Sequence, residues 1–337
     1  MLYPLTFQPI FKERVWGGRE IERLYGKPLP SGSPIGESWE ISDRPDDASV
    51  VADGPLAGKD LRWLMKKHAA EILGDAKPAA GNRFPLLCKI LDAREKLSLQ
   101  VHPPAGSAGI LPAGPERSRQ DGGVPGGEPK TEMWFIANAA PGAELYVGLK
   151  HGVTRAIIEK KIRDGSVADC FHRLPVKTGD AMFLPSGRVH AIGAGLVIFE
   201  IQQNSDTTYR VFDWNRVGRD GKPRDLHVAE SLASIDFNDF EPGLVQSRPA
   251  GDEAKTRLLA DDPLFKVEAV EMKSGTNLNL KLHKLQIVAV VRGQLEIKAG
   301  SGSVNLTGGR FCLVPASLEQ TKIMTKSNVV LLWVEVN

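Results

Sequence analysis

The sequence predicts a mainly β protein built as two β domains with a few covering helices. Glycine and proline are abundant, with 34 and 23 among 337 residues, and they separate short apolar segments at close intervals. That spacing is typical of all-β sandwiches and barrels. A chain of this length also exceeds a typical single core, which favours two domains.

The strand candidates share short apolar or β-branched runs bounded by turn residues. In the first part of the chain they are 38–42, 84–91, 97–102, 133–137, 144–148, 181–185 and 195–203. In the second part they are 265–272, 286–291, 295–298, 310–314 and 329–336. A polar stretch over 240–257 separates the two groups, so we place a domain over 1–238 and a smaller β domain over 239–337.

Three segments predict helices that cover the β domains. Residues 59–73 carry apolar side chains at helical spacing, and Asp60 is a suitable N-cap. Residues 154–174 predict two short helices that are broken at Gly165, with Thr154 and Ser166 as caps. Residues 225–233 predict a third. By contrast, 104–129 is rich in Gly and Pro and has no periodicity, which predicts a long inserted loop.

Composition excludes several classes of function. The 43 basic and 41 acidic side chains nearly cancel, so no basic field indicates binding to nucleic acid or to a membrane surface. No apolar run approaches ~18 residues, and the N-terminus lacks a signal-peptide pattern. Three widely spaced cysteines without a C-x-x-C motif favour buried thiols in a reducing compartment. We therefore expect a cytoplasmic protein.

A candidate metal site lies in the first part of the chain. Gln100 and His102 share one face of a predicted strand because side chains alternate with period 2. Glu132 on a neighbouring strand and His190 would complete four ligands. Taken alone, Gln-x-His is more often a half-buried strand with incidental polar residues than a metal site.

An internal repeat distinguishes the two halves. Gly179-Asp180 precedes Pro185 by six and five residues, and His190 follows that proline by five. Gly309-Arg310 precedes Pro315 by the same intervals, but position 320 is a glutamine. The second half therefore predicts the same architecture without a metal site.

These residues carry a resemblance to a known family. Gln100-x-His102, Glu132 and the run from Gly179 to His190 resemble the two-part motif of the cupins, with Gln in place of the first His. Five blocks further resemble the short bacterial type I mannose-6-phosphate isomerases. They are Gly36-Glu-Ser-Trp-Glu40, Pro85-Leu-Leu-Cys-Lys89-Ile-Leu-Asp-Ala93, Leu97-Ser-Leu-Gln-Val-His102-Pro103, Glu128-Pro-Lys-Thr-Glu-Met-Trp134 and Glu200-Ile-Gln-Gln-Asn-Ser-Asp-Thr-Thr-Tyr-Arg210-Val-Phe-Asp-Trp214.

The resemblance implies a fold and an activity. The fold is two cupin-type jelly-roll β-barrels, of which the first is catalytic. The activity is the interconversion of D-mannose 6-phosphate and D-fructose 6-phosphate with one zinc ion per chain, held by Gln100, His102, Glu132 and His190. The partner is then a small sugar phosphate, and the chain is a monomer or a homodimer. By ligand type alone, manganese or iron also suits this set.

Aldose–ketose conversion also needs a cation for developing oxyanion charge and a group that moves a proton. The resemblance makes Arg210 that cation; a surface arginine is the alternative. Lys130 lies two residues before Glu132, where a metal ion would lower its pKa, and it competes with Glu200 as the base. Lys89 is a candidate for holding the phosphate, or else faces solvent. Trp16 is a candidate wall of the sugar pocket, or else fills the core.

Two other functions stay open from the sequence. One is a different metal-dependent cupin enzyme, such as an oxygenase or another sugar-phosphate isomerase, which would not need Lys130 and Arg210 around the metal. The other is a non-catalytic sugar-binding cupin, which would tolerate loss of the metal. The sequence contains no Walker motif, no Gly-x-Gly-x-x-Gly after a strand and no Gly-x-Ser-x-Gly.

Overall fold

The computed structural model describes residues 2–104, 127–217, 221–300 and 302–337, and over them the chain is mainly β. The described strands of the first part of the chain end at residue 212. They are β1 (Ile10–Gly18), β2 (Ile35–Ile41), β3 (Asp43–Arg44), β4 (Asp47–Ala48), β5 (Leu86–Ala93), β6 (Leu99–Val101), β7 (Glu132–Ala139), β8 (Glu144–Leu149), β9 (Phe171–Pro175), β10 (Ala181–Leu184), β11 (His190–Ile192), β12 (Leu196–Gln203) and β13 (Tyr209–Phe212).

The described strands of the second part begin at residue 254. They are β14 (Ala254–Asp261), β15 (Phe265–Met272), β16 (Asn277–Asn279), β17 (Gln286–Arg292), β18 (Gln294–Ala299), β19 (Gly302–Thr307), β20 (Phe311–Val314), β21 (Lys322–Thr325) and β22 (Val329–Val336). The helices are α1 (Glu20–Tyr25), α2 (Leu61–Leu73), α3 (Arg155–Asp164) and α4 (Val228–Ser234). Within the described ranges, no helix has the length and apolarity needed to cross a membrane.

Each part of the chain forms two large antiparallel sheets, and β3 pairs with β4 in a separate two-stranded sheet of the first part. Sheet 1 has the order β1-β2-β5-β12-β7-β10, and sheet 2 has the order β13-β6-β11-β8-β9. In the second part, sheet 3 runs β14-β15-β22-β17-β20 and sheet 4 runs β16-β21-β18-β19. The prediction of a mainly β protein with two jelly-roll units and a few helices is confirmed. Among the described strands, no ladder joins the two sheets of a unit into a closed ring.

Sheet 1 is buried on both faces, and this arrangement aims site residues inward. On β12, Val197, Phe199 and Ile201 pack into a core that is shared with the second part of the chain. Ile198 belongs to a different cluster, between sheets 1 and 2. Because side chains alternate along a strand, Glu200 follows Ile198 toward the space between the sheets.

The predicted helices are confirmed in part. The Asp60 carboxylate accepts a hydrogen bond from the Trp63 amide at 2.6 Å and so caps α2. Thr154 caps α3, which ends at Gly165 in the left-handed region with φ 77°. The second helix predicted over 154–174 is only a single 3-10 turn over Val167–Cys170, and the Ser166 side chain makes no capping hydrogen bond. The rest of the predicted helix is wrong, because residues from Phe171 form strand β9, which pairs with β8.

Two further predictions concern connecting segments. The stretch 240–257 is irregular at first, but its last residues already form β14, so the polar segment is shorter than expected. The domain boundary near residue 238 stays a prediction. Most of the predicted loop at 104–129 falls at 105–126, outside the described residues.

The internal repeat has a structural counterpart in each half. Gly179 and Gly309 both adopt positive φ, at 93° and 81°, two residues before the first residue of β10 and β20. His190 then begins β11, whereas Gln320 lies in the turn before β21 with φ 51°. The repeated spacing therefore reflects the same turn and strand in both units.

Candidate metal centre and substrate cavity

The four predicted metal ligands lie together between sheets 1 and 2. Gln100 of β6 is directly opposite His190 of β11 in register, so their side chains share one face of sheet 2. His102 follows β6 immediately. Glu132 begins β7 in sheet 1. The sequence predicts Glu132 on a neighbouring strand; that strand, β7, belongs to the sheet that packs face to face with the sheet of β6.

Three of these side chains form a compact and buried cluster. The candidate ligand atoms of His102, Glu132 and His190 all lie within 4.8 Å of one another. His102 Nε2 is 3.3 Å from Glu132 Oε1, and His190 Nε2 is 3.7 Å from Glu132 Oε2. Each residue is at most 2% exposed. No second cluster of this kind occurs in the part of the chain that the structure describes.

Backbone carbonyl groups orient both imidazole rings. His102 Nδ1 lies 2.7 Å from the Thr207 carbonyl oxygen, and His190 Nδ1 lies 3.0 Å from that of Arg188. If each Nδ1 donates its proton there, both Nε2 atoms present lone pairs to the cluster. Metal-binding histidines are oriented by contacts of this kind.

The Gln100 amide completes the group at its edge. Its Nε2 lies 3.3 Å from His190 Nε2, and the side chain is partly buried. A half-turn about the Cγ–Cδ bond would bring the amide oxygen to the same place, since the two ends of the amide have nearly the same size. Gln100 is therefore positioned as a fourth, weaker oxygen ligand.

The donor set fits a divalent cation. The Glu132 carboxylate is buried, and its two oxygens face the Nε2 atoms of His102 and His190. Burial lowers the pKa of His102 and lowers that of His190 to about 3, which keeps both imidazoles neutral. Burial opposes ionisation of Glu132, but the positive charge of Lys130 holds its pKa well below the usual range. Two neutral imidazoles and one carboxylate suit zinc and related ions.

An alternating row of charges extends from this cluster along sheet 1. Lys130 Nζ contacts Glu132 and lies 3.7 Å from Glu200 Oε1. Lys89 Nζ lies 3.9 Å from Glu200 Oε2 and 3.7 Å from Glu37 Oε2. In register, Lys89 and Glu200 are opposite each other on β5 and β12. The interpretation of Lys89 as a solvent-facing residue is wrong, since only 4% of it is exposed.

The protein's own groups act on the pKa of Lys130 in both directions. We expected a lowered pKa from a neighbouring cation. Among the protein's own groups, burial acts in that direction, but the Glu132 and Glu200 carboxylates raise the Lys130 pKa above its usual range. Burial and the Glu132 charge raise the pKa of Glu200 to about 8. The Glu132 charge raises the pKa of both candidate bases, and burial raises that of Glu200 further, so both groups favour the protonated form near neutral pH.

A cavity of about 390 Å³ opens above the cluster. Its lining includes six of the nine residues singled out in the sequence: Trp16, Lys89, Gln100, Lys130, Glu200 and Arg210. Trp16 also belongs to the apolar cluster between the sheets, so it both fills the core and walls the cavity. The other three predicted residues, His102, Glu132 and His190, form the buried cluster itself.

Arg210 is a cavity residue rather than a surface arginine. On β13 it lies directly opposite Gln100 in register. Its Nη1 donates a 2.6 Å hydrogen bond to the Asp225 carbonyl oxygen, while its buried Nε has no hydrogen-bond partner in the described structure. A guanidinium with unused donors beside the candidate metal ligands can stabilise negative charge on a bound molecule.

Four charged residues of the cavity are not among the predicted site residues: Arg14, Glu37, Asp206 and Arg224. Arg14 Nε donates to Glu37 Oε1 at 2.7 Å, and Trp39 Nε1 donates to Glu37 Oε2 at 2.6 Å. Arg224 lines the same cavity. A signal for Glu37 was present, because it lies inside the apolar surroundings of β2, which is buried throughout. Arg14 and Arg224 lie in polar surroundings and carry no such signal.

The fold and the site first define a class: a cupin-type protein with a candidate metal centre between the sheets of its first unit. The family model for phosphomannose isomerase type I, catalytic domain, matches residues 5–122. The chain is 33% identical over 320 residues to the mannose-6-phosphate isomerase ManA of Bacillus subtilis, with 95% of each chain covered. The mannose-6-phosphate isomerase of Streptococcus mutans is 33% identical over 322 residues, covering 95% of this chain and 94% of the relative. The chain belongs to the type I phosphomannose isomerase family.

Solved structures agree with this assignment. The crystal structure of the mannose 6-phosphate isomerase from Bacillus subtilis superimposes with a TM-score of 0.85 at 29% identity, covering 99% of this chain and 100% of the other. A phosphomannose isomerase variant from Salmonella typhimurium matches with a TM-score of 0.76 at 16% identity, which supports the fold alone. The resemblance found in the five sequence blocks is confirmed, and with it the prediction of an enzyme.

Proposed function

We propose that this chain is a zinc-dependent isomerase that interconverts D-mannose 6-phosphate and D-fructose 6-phosphate. One observation carries the proposal. In a member of this family, the His102, Glu132 and His190 cluster lies under a cavity that Lys130, Glu200 and Arg210 line. Gln100, His102, Glu132 and His190 would hold the ion. When bound, it would act as a Lewis acid toward sugar oxygens that gain negative charge.

The chain's own residues supply the proton chemistry. One base removes the proton from C2 of the open-chain aldose, and the C–H electrons form the C1–C2 double bond of an enediolate. The same proton is delivered to C1, while the hydroxyl proton at O2 is lost and O1 is protonated. Lys130 and Glu200 both lie beside the cluster and are the two candidates for this base. Arg210 would donate hydrogen bonds to the enediolate oxygens.

The remaining cavity residues would bind the substrate. Trp16 would supply an apolar wall, and the Lys89 ammonium group is one candidate for contact with the sugar phosphate. We extend the proposal to a cytoplasmic location because Cys88, Cys170 and Cys312 are all free and buried. We also keep the prediction of a monomer or a homodimer.

A coupled assay for fructose 6-phosphate formation tests the proposal. Purified protein is analysed for bound metal, assayed, treated with a chelator, verified as metal-free and assayed again with added zinc, manganese or iron. We expect activity to disappear on chelation and to return best with zinc. Full activity in verified metal-free protein would overturn the mechanism, and best recovery with another ion would overturn the assignment of zinc.

The alternatives give different results in the same experiment. Another metal-dependent cupin enzyme would bind the ion but would not convert mannose 6-phosphate. A sugar-binding cupin without activity would bind the sugar phosphate with or without the ion. The Lys130–Glu200–Arg210 arrangement favours the isomerase, because neither alternative requires both a buried base and a cation at the cavity wall.

A further inference from the structure

Asp213, directly after β13, binds two guanidinium groups. Arg224 Nε donates to Asp213 Oδ2 at 2.7 Å, and Arg224 Nη2 donates to Oδ1 at 2.6 Å. Arg216 Nη2 shares Oδ1 at 2.6 Å. A two-point contact between guanidinium and carboxylate fixes the plane of the arginine side chain. Arg224 is thus held in one orientation although 27% of its side chain is exposed.

The two arginines reach different cavities. Arg224 lines the cavity above the candidate metal centre. Arg216 lines a separate one, beside Lys96 and Trp214, and donates to the Lys96 carbonyl oxygen. They therefore share a carboxylate but not a binding space, which makes Arg216 a matched control for Arg224.

Arg224 continues a row of residues that starts at the metal centre. Gln100 lies against His190, and Arg210 is opposite Gln100 in register. Burial, and next the Arg224 charge, lower the pKa of Arg210, as expected for two guanidinium groups near each other. The row therefore begins at the candidate metal ligand Gln100, continues to Arg210 and ends at Arg224.

The lysines of the cavity face carboxylates, which makes them poorer anion sites. Lys89 has Glu37 at 3.7 Å and Glu200 at 3.9 Å, and Lys130 contacts Glu132. A phosphate dianion beside Lys89 would also meet two carboxylates. Repulsion from them would offset much of the attraction of the ammonium group.

Near Arg210 and Arg224, by contrast, guanidinium groups outnumber the carboxylates that contact them. Asp213 is the one carboxylate that Arg216 and Arg224 share, while the hydrogen bond of Arg210 goes to a backbone carbonyl. Asp206 also lines the cavity, where its charge acts on Lys130. The Asp225 charge also acts on Arg210, so the guanidinium groups of Arg210, Arg216 and Arg224 face the carboxylates of Asp213 and Asp225, which leaves an excess of one positive charge.

We propose that Arg224, oriented by Asp213, binds the phosphate group of the substrate, with Arg210 between it and the metal centre. This inference rests on the proposed function. The reacting carbons C1 and C2 lie at one end of the sugar and the phosphate on C6 at the other, which matches a row that begins at the metal ligands and ends at Arg224. The planar fork of an arginine suits phosphate oxygens better than the point charge of a lysine.

Steady-state kinetics and phosphate binding test this role in the full-length, metal-loaded protein. For Arg224→Gln we expect KM for mannose 6-phosphate to rise about 10- to 100-fold, the loss typical of a charge-assisted hydrogen bond. The turnover number should change much less. Inorganic phosphate should inhibit this variant correspondingly less, and its binding by calorimetry should weaken by the same factor. Arg216→Gln should change KM and phosphate binding by less than about threefold, because it lies outside the cavity.

Two more variants separate binding from folding. Arg224→Lys keeps the charge but loses the two-point contact, so its KM should lie between those of the wild type and Arg224→Gln. Asp213→Asn should raise KM and leave metal content unchanged, because it releases Arg224 without touching the ligands. Equal effects of Arg216→Gln and Arg224→Gln, or an unchanged KM in Arg224→Gln, would overturn the inference.

Calorimetry also separates this inference from the proposed function. If the wild type does not isomerise mannose 6-phosphate, the proposed function fails. Phosphate binding that still depends on Arg224 would then support the anion site by itself. If the wild type is active and phosphate binding does not depend on Arg224, only the role of Arg224 fails.

Discussion

Glu132 and His102 meet across the space between two facing sheets, with Glu132 Oε1 3.3 Å from His102 Nε2. The carboxylate comes from sheet 1 and the imidazole from the end of β6 in sheet 2. Any ion held by both would therefore link the two sheets. Metal binding and the packing of the first unit are thus expected to be coupled.

Glu132→Gln tests the carboxylate as a ligand. The substitution keeps the size of the side chain but removes its negative charge, so we expect the bound metal per chain to fall at least about tenfold. Elemental analysis after dialysis measures this directly. Glu200→Gln is the control, since Glu200 is equally buried but not a ligand, and it should retain its metal. Normal metal content in Glu132→Gln would rule out Glu132 as a ligand.

Arg210→Ala tests the cation at the cavity wall. We expect metal content to stay normal while turnover falls about 100- to 1,000-fold, as for loss of a donor to a developing oxyanion. Arg173→Ala is a suitable control, because Arg173 pairs with Glu144 on the exposed side of β9. Turnover within a few-fold of the wild type in Arg210→Ala would show that Arg210 has no part in the reaction.

Lys130→Met and Glu200→Gln distinguish the two candidate bases. The true base exchanges its proton with solvent during the reaction, so its loss should abolish both turnover and deuterium uptake at C1 or C2. Loss of the other residue should lower turnover by its electrostatic effect while leaving exchange detectable. NMR of the sugar after reaction in D₂O gives the answer. Detectable exchange in both variants would exclude each as the sole base.

Asp92 provides a prediction about stability and pH. Its carboxylate accepts hydrogen bonds from the Glu20 and Ile21 amides at the start of α1, and burial raises its pKa to about 6. An unfolded chain has an Asp pKa of about 3.9. Between pH 4 and 6 the folded state holds the extra proton, so the free energy of unfolding should fall as pH rises, by at most about 1.4 kcal/mol per unit.

Asp92→Asn removes this titration. We compare the free energy of unfolding of the two proteins by denaturant unfolding at pH 4, 5 and 6. As the pH rises, we expect the wild type to lose stability relative to the variant. The same pH dependence in both proteins would mean that Asp92 ionises normally in the folded state.

The sequence by itself determined the fold class and the ligand candidates. Gly and Pro spacing marks short strands because turns need these residues locally, and the positive φ of Gly179 and Gly309 is a local requirement of this kind. Gln100, His102, Glu132 and His190 were identifiable because donor chemistry belongs to the side chain itself. The family resemblance added Arg210, whose surroundings alone left a surface position open.

Only the tertiary structure decided how these groups meet. Glu132 faces His102 from the opposite sheet, and Lys89 lies between Glu37 and Glu200, which are far apart in the chain. Arg224 enters the cavity because Asp213 holds it there. Pairing across sheets and the net charge of a cavity depend on contacts between distant segments. The pattern of neighbouring residues in the sequence does not encode such contacts. The charges that line the cavity could therefore be identified only from the folded structure.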